Sequence, residues 1–138
     1  MEISRVLLEQ IQSHGERDYP EEGACFLLGK DGPVRRVEAV LPLSNSREQS
    51  ARHNRYLISP QDYLQGENEA DRLGLTLLGV FHSHPDHPNR PSEYDREWAQ
   101  PFFSYLITSV HSGKVAESAS WRLLEDRSGF IVEEISII

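Results

Sequence analysis

The sequence predicts a mixed α/β (α+β) fold in which a mixed β-sheet is flanked by helices. Short apolar runs bounded by turn residues recur along the chain and read as buried strands. Two longer segments, opening at Ser4 and at Ser59, place apolar residues at helical spacing behind a capping residue. No linker, repeat or low-complexity segment interrupts the 138 residues, a length that fits one domain over residues 1–138 with a genuine core.

The elements follow in order. Ser4 caps a first helix, carried by Val6, Leu7 and Ile11, with Gly15 marking its end. Gly23 to Gly29 is a buried strand, and Asp31-Gly32 signals a hairpin into Val34–Leu43. Ser44 to Arg52 is polar and reads as a loop. Ser59-Pro60 opens a second helix as N-cap and first helical residue, with Tyr63, Leu64 and Ala70 on its inner face despite Gly66. Leu75 to His84 is the next strand, and a short helix starts at Ser92. Phe102 to His111 is rich in β-formers and ends at the Ser112-Gly113 turn. Ala119–Leu124 and Phe130–Ile137 close the chain as strands.

Composition narrows the function classes. There are 22 acidic against 14 basic residues, for a net charge of −8 and a pI near 5.2. Nucleic-acid binding needs a basic face, and none is visible; the Arg35-Arg36 doublet reads as a solvated strand edge. Apolar residues make up 38% and the mean hydropathy is −0.53, with no apolar stretch long enough for a membrane span. Met1-Glu2-Ile3-Ser4-Arg5 lacks the layout of a secretory signal, and the single Cys25 cannot form an internal disulfide. The expected compartment is the cytoplasm, with no nucleic-acid or membrane partner. The oligomeric state stays open.

The chemistry concentrates in Phe81-His82-Ser83-His84-Pro85 and Ser92-Glu93-Tyr94-Asp95. On a strand, side chains two apart share a face, about 7 Å along the chain from each other. His82 and His84 with the Asp95 carboxylate can supply three ligands to zinc and leave a fourth position open, the arrangement of a catalytic site. Each piece also has a plainer reading. A His-x-His at a strand end is often two partly exposed polar residues. Ser92-x-x-Asp95 is also a helix start with Ser92 as N-cap, and a helix start can itself hold a ligand carboxylate against a strand end.

The combination resembles the JAMM signature of MPN-domain metallopeptidases. The family pattern is Glu, a long gap, His-Ser/Thr-His-Pro, then Ser-x-x-Asp. His82-Ser83-His84-Pro85 and Ser92-x-x-Asp95, with seven residues between His84 and Ser92, fill its second part. The family Glu lies on an early strand, usually as Pro-x-Glu-x-Cys-Gly. Here Pro20-Glu21-Glu22-Gly23-Ala24-Cys25-Phe26-Leu27-Leu28-Gly29 stands in that place, with Ala24-Cys25 where the family has Cys-Gly. Alignment on Pro20 and the Phe-Leu-Leu-Gly end assigns the role to Glu22, with Glu21 as the alternative. The resemblance covers essentially the whole chain and implies a three-layer, cytidine-deaminase-like architecture of the compact stand-alone prokaryotic type.

It also implies roles. His82, His84 and Asp95 would hold one zinc per chain. Glu22 would be the general base and then acid, and Ser92 would donate to the developing oxyanion. Ser83 points away from the metal and supports the loop backbone. His87 is left out, because a fourth protein ligand would close the site. His14, His53 and His111 have no partner pattern and read as solvent-exposed or incidental. Cys25, an odd number of residues from Glu22, faces the other way and reads as a buried apolar residue. The implied activity is zinc-dependent peptidase or isopeptidase cleavage after the C-terminal Gly-Gly of a ubiquitin-like or ThiS/MoaD-like sulfur-carrier protein. The absence of a long insertion after Asp95 favours a small carrier. The rival readings are a non-catalytic MPN interaction scaffold and a metallohydrolase acting on another amide.

Overall fold

The structure is a computed structural model and describes residues 1–44 and 58–138. The expected Ser44–Arg52 loop and His53 therefore lie, from residue 45 on, outside the described residues. Among the described residues the order is β1 (Glu2–Ile3), α1 (Arg5–Asp18), β2 (Ala24–Lys30), β3 (Arg36–Leu43), α2 (Pro60–Leu73), β4 (Thr76–Pro85), α3 (Glu93–Trp98), β5 (Ser104–His111), β6 (Lys114–Leu123), β7 (Phe130–Glu133) and β8 (Ser136–Ile137). The strands form one mixed sheet in the order β7-β6-β5-β4-β2-β3-β1-β8, the flanked mixed sheet that the sequence predicts. β4 is central, antiparallel to β2 and parallel to β5.

Strand alternation sorts the core into two layers. Ala24, Phe26, Leu28 and Val80 face Ala70 of α2, along with Ala99, Phe103 and Tyr105. Cys25, Leu27, Leu78 and Phe81 face Leu8 and Ile11 of α1. β5 is buried along seven of its eight residues because both faces are covered, which explains its weak alternation in the sequence.

The caps form as expected. Ser4 Oγ accepts the Leu7 N–H at 3.2 Å. Ser59 and Asp62 make a reciprocal capping box, and Gly74 closes α2 in the left-handed conformation at φ 68°.

Several expectations are corrected. Gly15 does not end α1, which runs on to Asp18. It is buried where the helix presses on β4, and a Cβ there would stand 3.1 Å from Ser83 Cβ. Gly66 has the same kind of role on α2: a Cβ would lie 2.8 Å from the Phe26 ring, so the inner face needs glycine. Leu64, expected inside, is 61% exposed. β6 begins at Lys114, before the expected Ala119, because it pairs with β5 from the turn onward. The expected Phe130–Ile137 strand splits: β7 pairs with β6, whereas β8 pairs in parallel with β1 at the far edge.

Arg35 is the largest departure. Expected on a solvated edge, it is only 8% exposed. The β2–β4 register shifts between Leu27 and Leu28, an irregularity at Leu78, and Arg35 donates to the Leu78 carbonyl at 3.0 Å. It also donates to Ser104 Oγ at 3.0 Å and to the Phe102 carbonyl at 2.7 Å. A bulge leaves a backbone group outside the ladder, and a buried guanidinium supplies the missing donor.

Candidate active site

The site forms where the C-terminal end of β4 meets the N-terminal end of β2. The antiparallel register pairs Ala24 with His82, and the Ser83 N–H donates to the Gly23 carbonyl at 2.9 Å. Carried two residues further, that register sets Glu22 beside His84. Side-chain alternation puts Glu22, His82 and His84 on the α2 and α3 side and Ser83 and Cys25 on the α1 side. One donor atom from each of Glu22, His82 and His84 lies within 4.8 Å of the others. Glu22 is buried and belongs to this group, whereas Glu21 is half-buried and lies outside it.

Asp95 arrives from α3. It is the third residue of that helix, inside a capping box: its Oδ2 accepts the Ser92 N–H at 2.8 Å, and Ser92 Oγ accepts the Asp95 N–H at 3.1 Å. The same carboxylate reaches the histidines, with Oδ2 3.3 Å from His84 Nε2 and Oδ1 3.9 Å from His82 Nε2. The cap and the contact with both histidines thus coexist in Ser92-x-x-Asp95, although the donor group within 4.8 Å holds Glu22, His82 and His84 and not Asp95. Ser92 Oγ uses a lone pair for the cap and keeps its own proton for another acceptor.

The tautomer of His84 follows from its neighbour. Its Nδ1 lies 2.7 Å from the Pro88 carbonyl, an acceptor only, so Nδ1–H donates and the ring turns Nε2 towards the cluster. Burial pushes the His82 imidazole down to about 4, against the upward pull of Asp95. It is neutral at pH 7, as a ligand must be. Burial pushes the Asp95 carboxyl up, but His82, His84 and the Ser92 N–H together outweigh it and hold the carboxyl at about 2. Two imidazoles, an ionised Asp95 carboxylate and a second buried carboxylate form a donor set that fits a divalent cation such as zinc.

The surrounding backbone is pinned. Ser83 Oγ accepts the Gly23 N–H at 2.8 Å, which ties β4 to the segment carrying Glu22. Asp86 adopts φ 55° and accepts from Tyr19 Oη at 2.6 Å and from the Ser112 N–H at 2.8 Å. Trp121 Nε1 donates to the Asn89 carbonyl at 3.0 Å. A cavity of ≈ 520 Å³ opens beside the cluster, bordered by Glu22, His84, His87, Arg90, Ser92 and Tyr94. That is an ordinary size for a small-ligand site.

The remaining histidines are placed as follows. His87 is exposed on the cavity wall, outside the group whose donor atoms converge. His111 is exposed. His14, read as solvent-exposed or incidental, packs half-buried on α1, its Nε2 3.3 Å from Asp18 Oδ2, an i,i+4 pairing. Sequence reasoning missed Pro88, Asn89 and Trp121 as the supports of the loop. A carbonyl acceptor and a partner 32 residues away leave no local signal.

A mixed sheet whose central strand delivers two histidines, with a carboxylate from a following helix start and another from the segment just before a neighbouring strand, forms a candidate metal centre. Residues 4–124 match the family model described as prokaryotic homologs of the JAB domain. The chain belongs to this family, a prokaryotic branch of the JAMM/MPN proteins. It is 35% identical over 105 residues to a probable TtuB-protein conjugate cleaving protease of Thermus thermophilus, covering 76% of this chain and 67% of the relative. It is 31% identical over 105 residues to a desampylase of Haloferax volcanii, covering 73% and 74%. Among solved structures, protein DSY2949 from Desulfitobacterium hafniense superposes with a TM-score of 0.85 at 32% identity, over 99% of this chain and 92% of that one. A JAB1/MPN domain protein from Archaeoglobus fulgidus shares the fold, with a TM-score of 0.64 at 21% identity over 100% of this chain and 99% of that one.

Proposed function

We propose that this protein is a zinc-dependent peptidase or isopeptidase that hydrolyses the amide bond after the C-terminal Gly-Gly of a ubiquitin-like or sulfur-carrier protein. The observation that carries this reading is the convergence of Glu22, His82 and His84, with Asp95 against both histidines, beside a cavity that also admits Ser92. The names of the Thermus and Haloferax relatives support a hydrolase acting on protein conjugates.

His82, His84 and Asp95 would hold the zinc, one ion per chain. When bound, it supplies Lewis acidity towards an amide carbonyl and makes water more acidic. The remaining steps belong to the side chains. The Glu22 carboxylate removes the proton from the attacking water and returns it to the departing nitrogen, acting first as base and then as acid. Ser92 O–H donates to the carbonyl oxygen as negative charge develops there. The Pro88 carbonyl fixes the His84 ring, and the α3 capping box fixes Asp95. Glycine before the scissile bond lets the substrate backbone approach closely.

The test is mass spectrometry of a sulfur-carrier protein ending Gly-Gly-Cys, incubated with zinc-loaded enzyme. A Gly-Gly-lysine isopeptide and a carrier ending Ala-Val-Cys serve as comparisons. Cleavage of the Gly-Gly substrates alone is expected. Equal cleavage of all three identifies a general carboxypeptidase. No cleavage by zinc-loaded protein replaces this reading with an interaction scaffold or another amide substrate.

A further inference from the structure

The loop between His84 and α3 carries a second kind of chemistry. Among the described residues lining the ≈ 520 Å³ cavity, Arg90 is the sole permanent cation. Its guanidinium has no hydrogen-bond or ion-pair partner among the described residues. The neighbouring charge, Glu93, already pairs with Arg96 at 2.6 Å. The backbone on either side of Arg90 is held: Pro88 by His84, Asn89 by Trp121, and Ser92 by the α3 cap. Arg90 also borders the grooves towards β7 and towards β5 and β6, so it stands at the rim of the cavity. A chain with net charge −8 thus places an exposed guanidinium, unpaired among the described residues, at the mouth of the one clustered-donor group found among them.

We propose that Arg90 is a specificity-determining residue that binds the free α-carboxylate of a short leaving group, so that the site favours tails ending one residue past the scissile bond. The assignment rests on the hydrolytic reading above and names its leaving group. A guanidinium fork matches a carboxylate in bidentate geometry, which a lone ammonium does not. A single amino acid projecting from the scissile nitrogen carries its carboxylate within one residue of the reacting atoms. A lysine isopeptide presents an alkyl chain there instead, leading to a second protein.

The test separates binding from turnover. Two peptides, ending Gly-Gly-Ala with a free carboxylate and with a C-terminal carboxamide, are titrated by calorimetry into zinc-loaded Glu22→Gln protein, which does not consume them. The free acid is expected to bind about tenfold tighter, the scale of one charge-assisted pairing. Adding Arg90→Gln should erase the difference and move the carboxamide affinity less than twofold; Arg90→Lys should retain part of the preference. Equal binding of the two peptides, no binding of either, or a preference that survives Arg90→Gln overturns the assignment. If the preference depends on Arg90 but zinc-loaded wild-type protein cleaves neither peptide, the carboxylate site stands and the hydrolytic reading falls.

Discussion

Two cavities of similar size lie on opposite faces of the sheet. The one beside His84 measures ≈ 520 Å³; the other, between α1 and β2–β3, measures ≈ 560 Å³ and is bordered by His14, Arg17 and Cys25. Both hold a histidine and both hold reactive residue types, yet among the described residues only the first lies beside a group of ligand atoms within 4.8 Å of one another. On the α1 side, burial pushes the Cys25 thiol up to about 12, with Asp18 adding to the effect, so it stays protonated and unreactive at neutral pH. His14 pairs with Asp18 on its own helix. Volume therefore does not make the site. Convergence from three separate elements does, and the period of two along β4 and β2 decides which face receives it.

The comparison can be broken most severely at the ligands. His84→Ala should abolish zinc retention, since two remaining ligands hold the ion poorly, and turnover should fall with it. Metal analysis after dialysis reads this directly, and full occupancy would remove His84 from the ligand set. Glu22→Gln should retain zinc but lose turnover by roughly 10²–10⁴, because an amide cannot carry the proton. Glu21→Gln, on the half-buried neighbour, should turn over like wild type; reversed behaviour of the pair would mean that Glu21 is the acid/base.

Ser92→Ala should lower kcat by roughly 10²–10³ through the lost oxyanion donor. It should also cost about 1 kcal/mol in unfolding free energy through the lost cap. A stability loss with unchanged kcat would leave Ser92 as a cap alone.

Acid sharpens the contrast without mutation. The folded His82 titrates near 4 against an unfolded value of 6.5, so the unfolded chain binds the extra proton over that interval. The metal-free protein should keep its full stability from this group above pH 6.5 and lose about 3 kcal/mol of it as pH falls to 4. Asp95, held at about 2 against 3.8, adds a further loss below pH 3.8. Urea unfolding of metal-free protein at stepped pH measures both, and a flat profile between pH 6.5 and 4 would mean that His82 is protonated in the fold. The smallest effect belongs to the other face: Cys25→Ala should leave kcat within twofold and cost about 1 kcal/mol for a small buried side chain. A collapse of kcat in a folded Cys25→Ala protein would tie the two cavities together.

Much of the site is legible before folding because it rests on local rules. Alternation along a strand puts His82 and His84 together and turns Ser83 and Cys25 away. The Ser92-x-x-Asp95 spacing is a capping box whatever surrounds it, and a rigid helix start is what a ligand carboxylate needs. Fold class follows in the same way from runs of apolar residues and their turn signals. These properties are set within a few residues of chain.

What tertiary structure decided are contacts between segments far apart in sequence. Gly15 and Gly66 read locally as a helix stop and a weak point, but a Cβ would crowd Ser83 of the sheet at the first and clash with the Phe26 ring at the second. Arg35 reads as a surface charge until the irregularity at Leu78 leaves a carbonyl for it to satisfy. Glu22 is separated from Glu21 only by the β2–β4 register, which aligns residues about 60 positions apart. Periodicity specifies which way a side chain points from its own backbone; only packing specifies what it meets there.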